Sequence, residues 1–217
     1  MTPQLLAAAM VMSSAVDVRT RAEPSPSAQT NACPAPGGRT EVKTRVGPLA
    51  VSTDLTFEQI AALAQRHGQL LRHPPYGFYL GRIRYQFAIH EGPDTPQGCA
   101  PEFHVIADMA LIDRHIEIAS DLKRDACLFQ IALQHYRSHA EADQHAFDEF
   151  AATVPARIQA ALAGMIETPL RKDTFGRTWA SAFDKVMPIL DRAREDAKTA
   201  VDSSSEVDRL THPACSA

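Results

Sequence analysis

The apolar residues of this chain change period once, near Asp125, and that change limits the folds open to it. Before it, apolar and polar residues alternate, so that Tyr79, Gly81, Ile83, Tyr85 and Phe87 fall on one face of an extended segment. After it, Leu128, Ile131, Ala132, Phe147, Phe150 and Ala151 recur at helical spacing. Strands followed by long helices predict an α+β fold, with a small antiparallel or mixed sheet packed against long helices.

The same patterns place the individual elements. Residues 41–52 read as extended, and Asp54 or Thr56 caps a helix over about 57–67. Gly68 and His73-Pro74-Pro75 end that region. A strand over 79–89 leads through Gly92-Pro93-Asp94 and Pro96-Gln97-Gly98 into a second over 103–111, and a third covers 115–119. A helix is expected from about 125 to 152, with Pro155 kinking it or starting another, since an interior proline costs about 3 kcal/mol. The next helix carries Ile158, Ala161, Leu162 and Met165, and Thr168-Pro169 ends it. A last one covers about 175–201, with Pro188 inside and a polar tail after it.

The N-terminus points to export. Residues 5–15 are an apolar run ending in small residues, like the core of a secretory signal without its basic lead. Residues 1–22 are therefore expected to be a signal-like segment, 23–40 a Pro- and Ser-rich linker and 41–217 a single domain. Cys33, Cys99, Cys127 and Cys215 form no C-x-x-C pair and read, in an exported chain, as two disulfides. Three pairings are open; Cys99–Cys127 with Cys33–Cys215 is preferred, the first tying a strand entrance to a helix start and the second joining the domain ends. Secretion or a periplasmic location follows as the expectation. A formal charge of −4 makes no electrostatic case for nucleic acid, and no segment approaches the ~20 apolar residues of a membrane span.

The chemistry sits in His135-Tyr136-Arg137-Ser138-His139. Histidines four apart on a helix lie nearly one above the other and can aim two imidazoles at one metal ion. A zinc site needs at least one more protein ligand, and a catalytic one keeps a position open. In zinc peptidases the residue after the first histidine is a glutamate that serves as base. Here it is Tyr136, whose phenol has an ordinary pKa near 10. His145 completes the histidine spacing of the metzincin peptidases, but Ala142 stands where that family needs a turn-forming glycine. On an unbroken helix His145 lies about 9 Å further along the axis than His139. Asp143, one turn from His139, is a candidate to orient that ring from behind the metal.

The stretch from His115 through Cys127 into the histidine helix resembles a bacterial family of exported proteins of unknown function, related to secreted zinc-dependent (HExxH) proteases. Cys99 before residues 103–111, and Ala200-Val201-Asp202-Ser203 with the late Cys215, extend the resemblance over about 32–215. It implies a minimal zincin-like fold, with an edge strand near 115–119 beside the cleft. His135 and His139 carry over as zinc ligands; the catalytic glutamate does not. The third ligand would come from a later helix, where Glu167, Asp184 and Asp191 are available, while Glu141 and Glu149 share the obstacle facing His145.

Other polar residues read as structural. Phe175, Trp179 and Phe183 have core spacing, Arg82 and Arg84 suit a solvated sheet face, and His90, His104 and His115 lie on or beside strands. The expectation is an exported zincin-like protein, impaired as a peptidase, whose partner is a peptide or an envelope protein. An active zinc hydrolase with another base, and a metal-free envelope binding or structural protein, are the alternatives.

Overall fold

The structure, a computed structural model, describes residues 38–66, 76–92, 102–163, 165 and 172–202. Its elements are β1 (Gly38–Val46), β2 (Leu49–Ser52), α1 (Phe57–Arg66), β3 (Gly77–Glu91), β4 (Phe103–Ile118), α2 (Ala126–Ala163) and α3 (Lys172–Val201). A 3-10 turn at Ser120–Arg124 links β4 to α2. The fold is mixed α+β. β1 starts at Gly38, so residues 38–40 are strand and not the end of a linker.

β4 is the spine. β1 and then β2 run parallel along one of its edges, and β3 runs antiparallel along the other. The sheet is therefore not an antiparallel one. The two strands expected at 103–111 and 115–119 are a single strand of 16 residues. Their apparent separation has a physical cause at Asp113, which adopts φ 52°. There the register against β3 slips by one residue, opposite Gly81. One extra residue in the strand exchanges its faces. Core-facing positions accordingly switch from Phe103, Val105, Ala107, Met109 and Leu111 to Arg114, Ile116 and Ile118. Residues 115–117 are paired on both sides, with β2 and with β3, so the edges here are those two strands and not β4.

The sheet buries two apolar clusters. Phe103 to Leu111 pack with the second half of α2 and with Phe175, Trp179, Phe183, Val186 and Leu190 of α3. Tyr85 and Phe87 of β3 join them, with ring centroids 4.9 Å from Phe183 and 4.6 Å from Trp179. Ile116 and Ile118 pack instead with Ile60 of α1 and with Ala132, Leu133 and Ala140 of α2. α2 serves both clusters, which explains its 38 residues. No new helix starts at Pro155. Buried Phe150, Ala151, Val154 and Ile158 keep their spacing across it, and this packing offsets the lost backbone hydrogen bond.

Side chains fix the helix starts. Thr56 is the cap of α1: its Oγ1 accepts the Gln59 N–H at 3.3 Å, and Gln59 Oε1 accepts the Thr56 N–H at 2.9 Å, a reciprocal capping box. Asp125 accepts the Leu128 N–H at 2.9 Å and caps α2.

Buried Glu117 holds the entry to α1 against β4. Its Oε1 accepts the backbone N–H groups of Asp54 at 2.6 Å and Leu55 at 2.9 Å, and its Oε2 takes Ser52 Oγ and faces His115 Nε2. Burial by itself raises this carboxyl's pKa, but the hydrogen bonds from Ser52, Leu55, His115 and Asp54 outweigh it and hold it below the usual range. A lowered folded-state pKa stabilises the fold at pH above the unfolded value, about 4.3, and this stabilisation is lost as pH falls toward the folded value. Urea titrations of wild type and Glu117→Gln between pH 7 and pH 3 check this. The variant should be less stable at pH 7, and the difference should shrink below about pH 4.

Candidate metal centre

His135 and His139 lie in the first half of α2, on the face turned toward α3, and both are buried. Their Nε2 atoms are 3.1 Å apart. Asp202, in the turn that closes α3, brings Oδ1 to 2.9 Å from His139 Nε2 and 3.3 Å from His135 Nε2. These three residues form a group able to hold a metal ion, the one such group among the described residues. The triangle edges of 2.9, 3.1 and 3.3 Å suit one small ion. Ligand atoms held tetrahedrally at about 2.0–2.1 Å are about 3.3 Å apart.

The electrostatics favour a cation at this point. Asp202 ends α3, where the helix dipole opposes a negative charge. Burial also opposes that charge, yet hydrogen bonds and charge from His135 and His139 hold the carboxyl well below its usual range. Two imidazole nitrogens facing each other across 3.1 Å can share only one proton along that line. His135 Nδ1, behind the site, is buried without a hydrogen-bond partner among the described residues.

Tyr136, which follows His135, packs as an apolar residue. Its ring stacks near that of His139, centroids 5.9 Å apart, and meets His135 edge-on at 5.0 Å. On its other side it presses on β3, where a Cβ added to Gly77 would lie 2.8 Å from Tyr136 Cε2. Burial first, and the charge of Asp202 second, push the phenol above its ordinary pKa, against an opposing hydrogen bond from the Gly77 backbone. Such a phenol is deprotonated even less at neutral pH than an ordinary tyrosine and so is less available as a base.

Of the other sequence candidates, His145 is surface-exposed and paired with Glu149 at 3.3 Å. Asp184 and Asp191 are exposed on α3, Glu141 is exposed on α2, and Glu167 lies outside the described residues. Asp143 is fully buried, but its oxygens meet Tyr79 and Arg194, and no described hydrogen bond joins it to His139. His104 lies 3.4 Å from Glu41, His90 sits beside His104, and His115 belongs with Ser52 and Glu117. Cys127 is disulfide-bonded; Cys33, Cys99 and Cys215, and hence both expected pairings, lie outside the described residues. The ligand that sequence reasoning passed over is Asp202. Its signal was an acidic residue at the C-terminal end of a long helix, a place where lysine or arginine is favoured. No helix among the described residues is long and apolar enough to cross a membrane.

Comparison of the chain with protein-family models, with curated proteins and with solved structures finds no match.

Isothermal titration with a divalent transition metal should show saturable binding to the wild type. Asp202→Ala should weaken it at least about tenfold, since two imidazoles alone make an incomplete site. Equal affinity in the two proteins would remove Asp202 from the centre.

Proposed function

We propose that this chain is an exported, zincin-like zinc-binding protein that lacks standard peptidase catalysis and serves as a binding or scaffold protein for a peptide or envelope partner. The observation that carries this reading is the convergence of His135, His139 and Asp202 from two helices on one point. Two imidazoles and one carboxylate are a donor set that suits zinc, with a position left open. Zinc bound there would supply Lewis-acid polarisation of a ligand. His135, His139 and Asp202 would hold the ion, and no base stands beside it among the described residues.

Several features support the zincin-like assignment. The histidine pair lies on the helix that follows the spine strand of the sheet, the third donor comes from a later helix, and the strand beside β4 on one side is an edge strand. The disulfide at Cys127 supports an oxidising compartment. Against catalysis stands Tyr136, a half-buried phenol packed on Gly77 and His139.

Metal analysis of purified protein tests the zinc assignment. The wild type should carry about one zinc per chain and the double variant His135→Ala/His139→Ala none. The same trace content in both would end the metal reading. Peptidase assays test the loss of catalysis, and clear chelator-sensitive turnover by the wild type would overturn it. Tyr136→Glu should introduce a low chelator-sensitive hydrolysis, and its absence from a zinc-loaded variant would mean that the cleft lacks more than a base.

A further inference from the structure

We infer that Arg194, through its ion pair with Asp143, is a positioning residue that sets α3 along α2 and so delivers Asp202 to the two histidines. This inference rests on the metal-binding reading above and adds to it a residue that touches no metal ligand.

The argument begins with what anchors the end of α3. Its apolar contacts stop at Leu190, the last fully buried side chain of the helix, and every described residue after it is half-buried or exposed. Beyond that point the groove between α3 and α2 is lined on the α3 side by Ala193, Ala197, Ala200 and Val201, and on the α2 side by Ala142 and Ala146 together with larger residues such as His145 and Phe150. Small side chains interlock little and resist sliding weakly.

Apart from the contacts of Asp202 itself, one hydrogen-bonded tie crosses this stretch among the described residues. Arg194 Nε donates to Asp143 Oδ1 at 2.7 Å, and Arg194 Nη2 donates to Asp143 Oδ2 at 3.1 Å. Such a two-pronged pair fixes direction as well as distance. Nη2 also donates to the Gly81 carbonyl at 2.8 Å, and Tyr79 Oη donates to Asp143 Oδ2 at 2.8 Å, so the pair is held to β3. Asp143 is fully buried and the Arg194 side chain is 12% exposed. There is no room for slack, because a Cβ on Gly81 would lie 2.5 Å from Tyr79 Oη and 2.8 Å from Asp143 Oδ2.

Helix geometry carries this anchor to the metal centre. Asp202 lies eight residues, about 12 Å, beyond Arg194 along α3. His139 and His135 lie about 6 and 12 Å from Asp143 in the same direction along α2, since the helices run antiparallel here. Sliding α3 by one residue would move Asp202 by about 1.5 Å, comparable with a whole metal–ligand bond of about 2 Å. Asp202 has little local restraint of its own, being half exposed and tied back to the Lys198 carbonyl by a long 3.3 Å bond.

A double-mutant cycle on metal affinity tests the inference, with zinc affinity read by chelator competition and site geometry by the visible spectrum of the cobalt(II)-loaded protein. Arg194→Gln should weaken zinc binding by about 10- to 100-fold, the usual range for residues that orient ligands, and should reduce the visible absorption of four-coordinate cobalt. In an Asp202→Ala background the same substitution should have no further effect, because the ligand it positions is gone. An equal loss in both backgrounds would mean general loosening and would overturn the inference, as would an Arg194→Gln variant with wild-type affinity and spectrum. If Arg194→Gln is not folded by circular dichroism, Arg194→Lys, which keeps the charge and loses the fork, goes through the same cycle under the same criteria. A wild type that binds no zinc would instead remove the metal reading, a separate result visible before any variant is made.

Discussion

A buried carboxylate organises this molecule. Asp143 is fully inaccessible to water, where an ionised group without partners is prohibitively unstable. Its partners come from two directions, Tyr79 from the edge strand and Arg194 from the last helix, and Gly81 on that strand leaves the space they need. Burial and the neighbouring Asp143 push the Tyr79 phenol up to about 12, which keeps it a proton donor to the carboxylate at any physiological pH. Each partner can meet Asp143 only if β3, α2 and α3 stand in one arrangement. The charge thus acts as a specificity device, while the apolar clusters on either side supply the bulk of the stabilisation.

The bulge at Asp113 belongs to the same junction. Without its extra residue, the second half of β4 would turn Ile116 and Ile118 away from α2, and one of the two clusters would be lost. The bulge also brings Arg114 to the inner face, where it donates to the Ala140 carbonyl at 3.2 Å and the Gly47 carbonyl at 3.3 Å. Ala140 follows His139 directly, so the strand grips the helix next to a metal ligand. Arg82 pairs with Asp113 at 2.5 Å on the exposed side of the bulge. An irregularity in the sheet and a buried ion pair between helices thus both hold α2 just after the histidine segment.

The candidate metal centre combines strong positioning with weak catalytic provision. His135 and His139 are rigid by virtue of a helix packed on both sides, and Asp202 is set by the way α3 lies along it. Tyr136, next to His135, is part of the packing, between His139 and Gly77.

The sequence by itself determined the class of fold and half of the site. The change of period near Asp125 set strands before helices, and the His135/His139 spacing set two donors on one helix face, because both are local properties of a periodic backbone. The boundaries of α3 and the aromatic core residues Phe175, Trp179 and Phe183 were legible for the same reason. Tertiary structure alone decided what depended on distant segments. The bulge joined two apparent strands, because the broken alternation of β4 makes sense only against β3 and α2. Packing on both flanks carried α2 through Pro155, where local propensity favoured a break. Asp143 found its partners on β3 and α3 and not on the neighbouring turn of its own helix. Asp202, 63 residues after His139, joins the candidate centre because two helices meet there antiparallel, and the meeting itself is recorded in neither helix's periodicity.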